Sequence, residues 1–206
     1  MEPVLLTRRR LLQAAAGAAV VPALAACDRL RPSQQPFHSV DITGAQHAQV
    51  LHLPDADGRM RSLADFKGKV VVVFFGYVHC PDVCPMTMGE LAQVKKQLGA
   101  DGDRIQGVFV TVDPARDTPE VLKPYVTAFD PSFIALRGSK EQTDAATKDF
   151  KVFVEQVPGR KPGEYTVNHT AGSFIFDGQG RIRLFTRYGM PQAELTEDLR
   201  RLVAGA

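Results

Sequence analysis

The stretch VVVVFFGYVHCPDVCP, residues 70–85, joins an unbroken apolar run to a glycine and two cysteines, Cys80 and Cys84, framed by Pro81 and Pro85. Six apolar residues without alternation describe a strand buried on both faces, as in the middle of a parallel sheet. The cysteines follow at its carboxyl end, where open α/β sheets gather their functional groups. From Met88, apolar residues recur at helical spacing through Leu91 and Val94 to Leu98, and Gly99 closes the segment. The spacing predicts a helix over 87–98, with Cys84 as its cap and Pro85 in the first position, where a missing N–H has no partner to lose. Free N–H groups in that turn favour a thiolate, so a lowered Cys84 pKa is expected.

Outward from this stretch the pattern alternates. Residues 105–112 read as a second buried strand, and Thr118 and Pro119 mark the cap and first position of a helix. A short strand is expected over 133–136. A helix over 139–150 opens on a Ser139/Gln142 capping box. Residues 152–157 read as extended, 158–165 (PGRKPGEY) as a loop, and 166–169 as a lead into a hairpin over 173–176 and 181–185. A last helix covers 191–203. Upstream, Asp57-Gly58 marks a hairpin turn. Parallel βαβ units joined to an antiparallel hairpin give an α/β, thioredoxin-like fold over residues 42–206, with a central mixed sheet flanked by helices and an N-terminal hairpin extension.

The 206-residue chain is 44% hydrophobic and 23% charged, a globular composition. Its start reads as an export signal over residues 1–26: TRRR at 7–10, an Ala-rich apolar run, and small residues before Cys27. The run is shorter than the ~20 apolar residues of a spanning helix, which argues against an uncleaved anchor. TRRRLL resembles a twin-arginine export pattern, with Gln13 in place of the usual Lys. LAAC resembles a bacterial lipobox, which would make Cys27 a lipidated N-terminus and 27–41 a lipid-bearing tether, held at the bacterial cell membrane with the domain on the periplasmic or outer side. Asp28 resembles a signal for retention on the inner membrane. Residues 1–26 carry three Arg and one Glu, so their removal leaves basic and acidic residues in balance. A balanced chain offers no broad field for nucleic acid.

With Cys27 assigned to lipid, Cys80 and Cys84 are the remaining thiols. The C-x-x-x-C spacing is one residue longer than the common oxidoreductase pair. A staple, a redox pair and a metal site are all compatible with it. Two soft sulfurs suit Cu(I), and Zn also accepts them, but a pair under-fills either site. Of the five histidines, His38 lies in the tether, His47 and His52 in early strands, and His79 beside Cys80, where neighbouring side chains diverge. His169, in YTVNHT, precedes a strand on a connection that returns beside the cysteine loop, and is the expected third ligand. Met86 and Met88 read as packing residues. Asp113 reads equally as a residue supporting the site or as a turn former, and Asp117 as a turn or cap residue.

FFGYVHCPDVCP, VTVDPARDTP and YTVNHT, in this order, resemble the three signatures of the Sco/SenC family of copper-binding thioredoxin-like proteins. The resemblance implies that Cys80, Cys84 and His169 bind copper, as Cu(I), Cu(II) or both, with Asp113 nearby. It implies a protein that helps build the dinuclear copper centre of cytochrome c oxidase, as copper chaperone, as thiol reductase for the centre's cysteines, or as both; the chaperone reading is favoured here, as a membrane-anchored domain expected to be a monomer. The expected partner is the copper-centre subunit of cytochrome c oxidase, or another periplasmic copper protein. Asn168 departs from the pattern, since members of the family carry Asp there, and loses a charge that would tune the ligands. The rival reading is a thiol-disulfide oxidoreductase that acts through Cys80 and Cys84 without metal.

Overall fold

The computed structural model describes residues 36–206, so the expected export signal and the expected lipidation site at Cys27 lie outside the described residues. Residues Phe37–Ala206 form one compact unit. Its centre is a six-stranded mixed sheet in the order β1 (Val40–Asp41), β10 (Ile182–Arg187), β9 (Gly172–Phe176), β4 (Val70–Gly76), β5 (Ile105–Thr111), β6 (Ile134–Leu136). β4, β5 and β6 run parallel, and β9, β10 and β1 are antiparallel to their neighbours. Every residue of β4 and β5 is buried, as the unbroken apolar run of β4 requires; in β5 the buried Gln106 amide donates to the Gly107 and Ser132 carbonyls.

Four helices cover the sheet: α1 (Val83–Leu98), α2 (Pro119–Thr127), α3 (Lys140–Phe150) and α4 (Gln192–Val203). α1 is the crossover from β4 to β5 and buries Met88, Leu91 and Val94. The Ser139/Gln142 capping box opens α3 as expected. Phe150 seals the opposite end against Phe75 and Phe174, with ring centroids 5.0 and 5.1 Å away. The hairpin β2 (His52–Pro54) and β3 (Met60–Ser62), around the predicted Asp57-Gly58 turn, is a separate two-stranded sheet joined to the end of β6 by a bridge between Asp55 and Leu136.

Two expectations are revised. The fold starts before Ile42: β1 pairs with β10, and Asp198 accepts the backbone N–H groups of His38 and Ser39 at 2.9 and 2.7 Å. Residues 37–41 are therefore part of the domain rather than tether. The extended segment expected after α3 is β7 (Val154–Pro158), but it does not run into a simple loop: it pairs antiparallel with β8 (Tyr165–His169). PGRKPGEY is the turn region of that second hairpin. Among the described residues no helix is long and apolar enough to cross a membrane.

Candidate metal centre

β4 ends at Gly76, and the chain turns through Tyr77–Cys80, where the Cys80 N–H donates to the Tyr77 carbonyl at 3.2 Å. α1 then begins at Val83 with Asp82 as its cap. Cys84 is thus the second helical residue and Pro85 the third, not cap and first position. All first-turn N–H groups lack helical partners, so Pro85 is still tolerated. One of them, the Cys84 N–H, faces the Cys80 sulfur at 3.5 Å.

Cys84 is fully buried and Cys80 partly so, and both are free thiols. Burial pushes the Cys84 thiol far up, and the neighbouring Cys80 and Asp117 add to the shift. The expected lowering is therefore reversed. The helix terminus offers only part of a charge, whereas burial removes most of the solvation that a thiolate needs.

His169 ends β8, just before β9, the strand that pairs with β4, and reaches the same point from there. Its Nε2 is 3.5 Å from Cys84 Sγ, and its Nδ1 is 3.1 Å from the Thr170 carbonyl. A carbonyl only accepts, so Nδ1 carries the proton and Nε2 presents a lone pair to the sulfur. Phe74 and Tyr77 pack edge-on against the ring, with centroids 5.8 and 6.0 Å away. Burial lowers the His169 pKa, which keeps the ring neutral and ligand-competent.

One ligand atom from each of Cys80, Cys84 and His169 lies within 4.8 Å of the others. A three-coordinate ion with bonds of about 2.0–2.3 Å has ligand–ligand edges of roughly 3.5–4 Å. Side-chain adjustments of under an ångström therefore close the set on one ion. The donor chemistry of two thiols and one imidazole suits a soft metal. The other histidines lie apart from this cluster. His38 is 3.3 Å from Glu197, and His79 is 55% exposed with Nδ1 3.8 Å from Asp117.

Asp113 is buried and bonds Arg116 and the Tyr165 hydroxyl, the latter at 2.8 Å. It anchors the start of β8, the strand that carries His169. The Arg116 guanidinium lies 3.6 Å over the Tyr165 ring and extends this anchor. Asn168 is exposed, and strand alternation places its side chain on the face of β8 opposite His169.

Asp117 is the residue that sequence reasoning underrated. It is fully buried, and its Oδ2 accepts from the Val78 N–H at 3.1 Å and the Thr111 hydroxyl at 2.6 Å. This pins the cysteine loop to the end of β5. Burial pushes the Asp117 carboxyl up. Its partner Val78 is 39 residues away, so no local spacing signals the contact. Met88 packs in the core as expected, but Met86 is 51% exposed, and its sulfur accepts from the Tyr188 hydroxyl at 3.3 Å.

Comparison with known proteins follows the same residues. The human mitochondrial SCO2 homolog is 36% identical over 159 residues, 75% of this chain and 59% of that relative's length. The chain thus spans about three fifths of it. The Bradyrhizobium japonicum ScoI structure with copper bound is 35% identical, with a TM-score of 0.67 over 74% of this chain and 97% of that one. The apo Sco1 protein of Thermus thermophilus is 36% identical, with a TM-score of 0.73 over 83% of this chain and 99% of that one. The SCO1/SenC family model matches residues 40–204, from β1 to the end of α4 and so across all three candidate ligands. With a family model over most of the chain and relatives above 30% identity, the chain belongs to the SCO1/SenC family.

Proposed function

We propose that this chain is a copper chaperone that holds the ion on Cys80, Cys84 and His169 and passes it to a partner, the copper-centre subunit of cytochrome c oxidase or another periplasmic copper protein. The observation that carries the reading is the convergence of two thiols and one imidazole, from segments 85 residues apart, to within 4.8 Å. Copper bound to a relative that is 35% identical supports the choice of metal. Cu(I) accepts three or fewer soft ligands, so an incoming partner thiolate exchanges with the site's own ligands one at a time. Cys80, less buried than Cys84, is the first to be displaced. Copper is cargo here, released by ligand exchange. Asp113 and Asp117 act on the polypeptide that carries the ligands. Lipid on Cys27 fits this role by holding a monomeric domain at the outer face of the cell membrane beside its target.

The second reading is thiol-disulfide exchange. Cys80 is accessible and the buried Cys84 lies close enough to resolve a mixed disulfide. Two thiols then become one disulfide and the partner's disulfide becomes two thiols. His169 has no part in that exchange. Copper quantitation on anaerobically reduced protein separates the readings. His169→Ala is expected to weaken copper binding at least about tenfold, as loss of an anchored ligand should. Undiminished copper affinity with unchanged thiol exchange would favour the oxidoreductase.

A further inference from the structure

On the outer side of β7, away from β8, a cleft of about 730 Å³ opens between that strand, α3 and the segment after β5. Val112, Val152 and Val154 give it apolar walls, and Thr143 lies in the wall contributed by α3. Thr143 is only 5% exposed, and its hydroxyl oxygen has no hydrogen-bond partner. That oxygen is sealed from solvent, so Thr143 meets the cleft through its other atoms, as part of the apolar wall.

The backbone of β7 supplies the next observation. At one end of the ladder the Thr170 N–H donates to the Phe153 carbonyl at 3.1 Å, and at the other the Gly159 N–H donates to the Glu164 carbonyl at 2.7 Å. These bonds set the phase of the register, in which Glu155 and Val157 turn their backbone groups toward β8. The N–H and C=O of Val154 and Gln156 therefore point outward. Both residues line the cleft, and no residue of β8 does, so the cleft sits at the strand's edge rather than across the hairpin's face. The β7–β8 sheet has two strands only, which leaves this edge without a partner strand among the described residues.

Charge identifies the occupant. Asp144 in the rim is paired with Lys140 at 2.6 Å, and Asp113 is paired with Arg116. Arg137 donates only to the neutral Pro114 carbonyl, at 2.9 and 3.2 Å, and exposed Lys148 has no acidic partner among the described residues. Arg137 also lies within electrostatic reach of Glu120, so Lys148 is the unpaired cation of the rim, whose lining bases (Arg137, Lys140, Lys148) outnumber its acids (Asp113, Asp144) by one.

We propose that this cleft takes an acidic, extended segment of a partner protein as an added strand on β7, its backbone on Val154 and Gln156 and its carboxylates on Arg137 and Lys148. Main-chain bonds along an open edge give such complexes their affinity, and flanking side chains give them selectivity. The surface does not depend on copper, although a segment held there braces the hairpin whose other strand ends in His169.

The probe is a fluorescein-labelled peptide of alternating valine and aspartate, titrated into metal-free protein and followed by anisotropy and amide chemical shifts. Saturable binding is expected, with shifts centred on Val154, Gln156 and Thr143, and with little binding of the same peptide carrying lysine for aspartate. Gln156→Pro removes one outward N–H and leaves the bonds to β8 intact, a change that edge strands tolerate. It is expected to weaken binding about tenfold, while Gln156→Ala does not. Lys148→Glu, on the exposed side of α3, is expected to weaken binding several-fold. Equal binding of the lysine peptide, unchanged binding by both Gln156→Pro and Lys148→Glu, shifts centred elsewhere, or no saturable binding each overturns the proposal. Copper titration of the same protein is a separate measurement, so either reading can fail alone.

Discussion

Gly76 is where the sheet gives way to the metal centre. A Cβ at this position would lie 2.8 Å from the Phe74 ring, 2.9 Å from Phe109 and 2.9 Å from Cys84 Sγ. The absent side chain is the space in which the buried sulfur sits. Two of the three neighbours are packed aromatic rings, so the sulfur is the group that must move. Gly76→Ala is expected to destabilise the fold by about 1–3 kcal/mol, the usual range for overpacking, and to weaken copper binding with all three ligands still present. Chemical denaturation and chelator competition check both parts, and copper affinity equal to wild type would remove the argument. The two sulfurs were legible because C-x-x-x-C after an apolar strand is a local pattern. The Cys84 shift was not, because it comes from residues that cover the sulfur only once β4, α1 and β8 have assembled.

The β7–β8 hairpin was the element least visible in the sequence. β7 (VEQVP) is mostly exposed and carries no alternation, and β8 (YTVNH) alternates over five residues only, too few to show that the two extended segments pair. Long-range contacts hold it instead. Asp113 accepts from the Tyr165 hydroxyl at 2.8 Å, and Arg116 donates to the Tyr165 carbonyl at 2.9 Å. Tyr165→Phe deletes the first bond and keeps the ring under the guanidinium. It is expected to cost about 0.5–1.5 kcal/mol and to lower copper affinity a few-fold, because His169 lies on the same strand. A site indifferent to this change would show that the hairpin is held otherwise.

The β9–β10 hairpin was read correctly, since Asp177-Gly178 interrupts two apolar strands. Burial alone would raise the Asp177 carboxyl, but the Arg181 side chain and the Arg181 and Gln179 amides outweigh it and hold it below the usual value. A lowered acid contributes stability above its unfolded value of 3.8, and that stability is lost as pH falls through the lowered folded value. Asp177→Ala is expected to destabilise the protein by about 1–3 kcal/mol at neutral pH. The difference from wild type should shrink in acid unfolding experiments, and a gap that stays constant with pH would assign the loss to packing.

At the scale of the molecule, the domain brings a loop at one strand end and a distant hairpin to one cluster of candidate ligands. The fold class was legible from the order of apolar runs and helices. The early start at Phe37 was not, because β1 spans two residues and its neighbours are held by Asp198 from about 160 residues away. This assembly makes copper binding a proton-exchange reaction. Cys84 enters as a thiol, because burial raises its pKa, and it must lose that proton to become a ligand. His169 works the other way: burial lowers its pKa below 6.5, so above that pH it is neutral and does not compete with the metal. The sign follows. Copper affinity should rise with pH, by roughly tenfold per unit for each thiol proton displaced. His169→Ala should bind more weakly throughout and keep the same slope between about pH 6.5 and 8, since the ring is already unprotonated there. Chelator competition across that range, under anaerobic reducing conditions, measures the slope. A flat profile would mean that Cys84 is already a thiolate in the free protein, and that its burial does not govern the chemistry of the site.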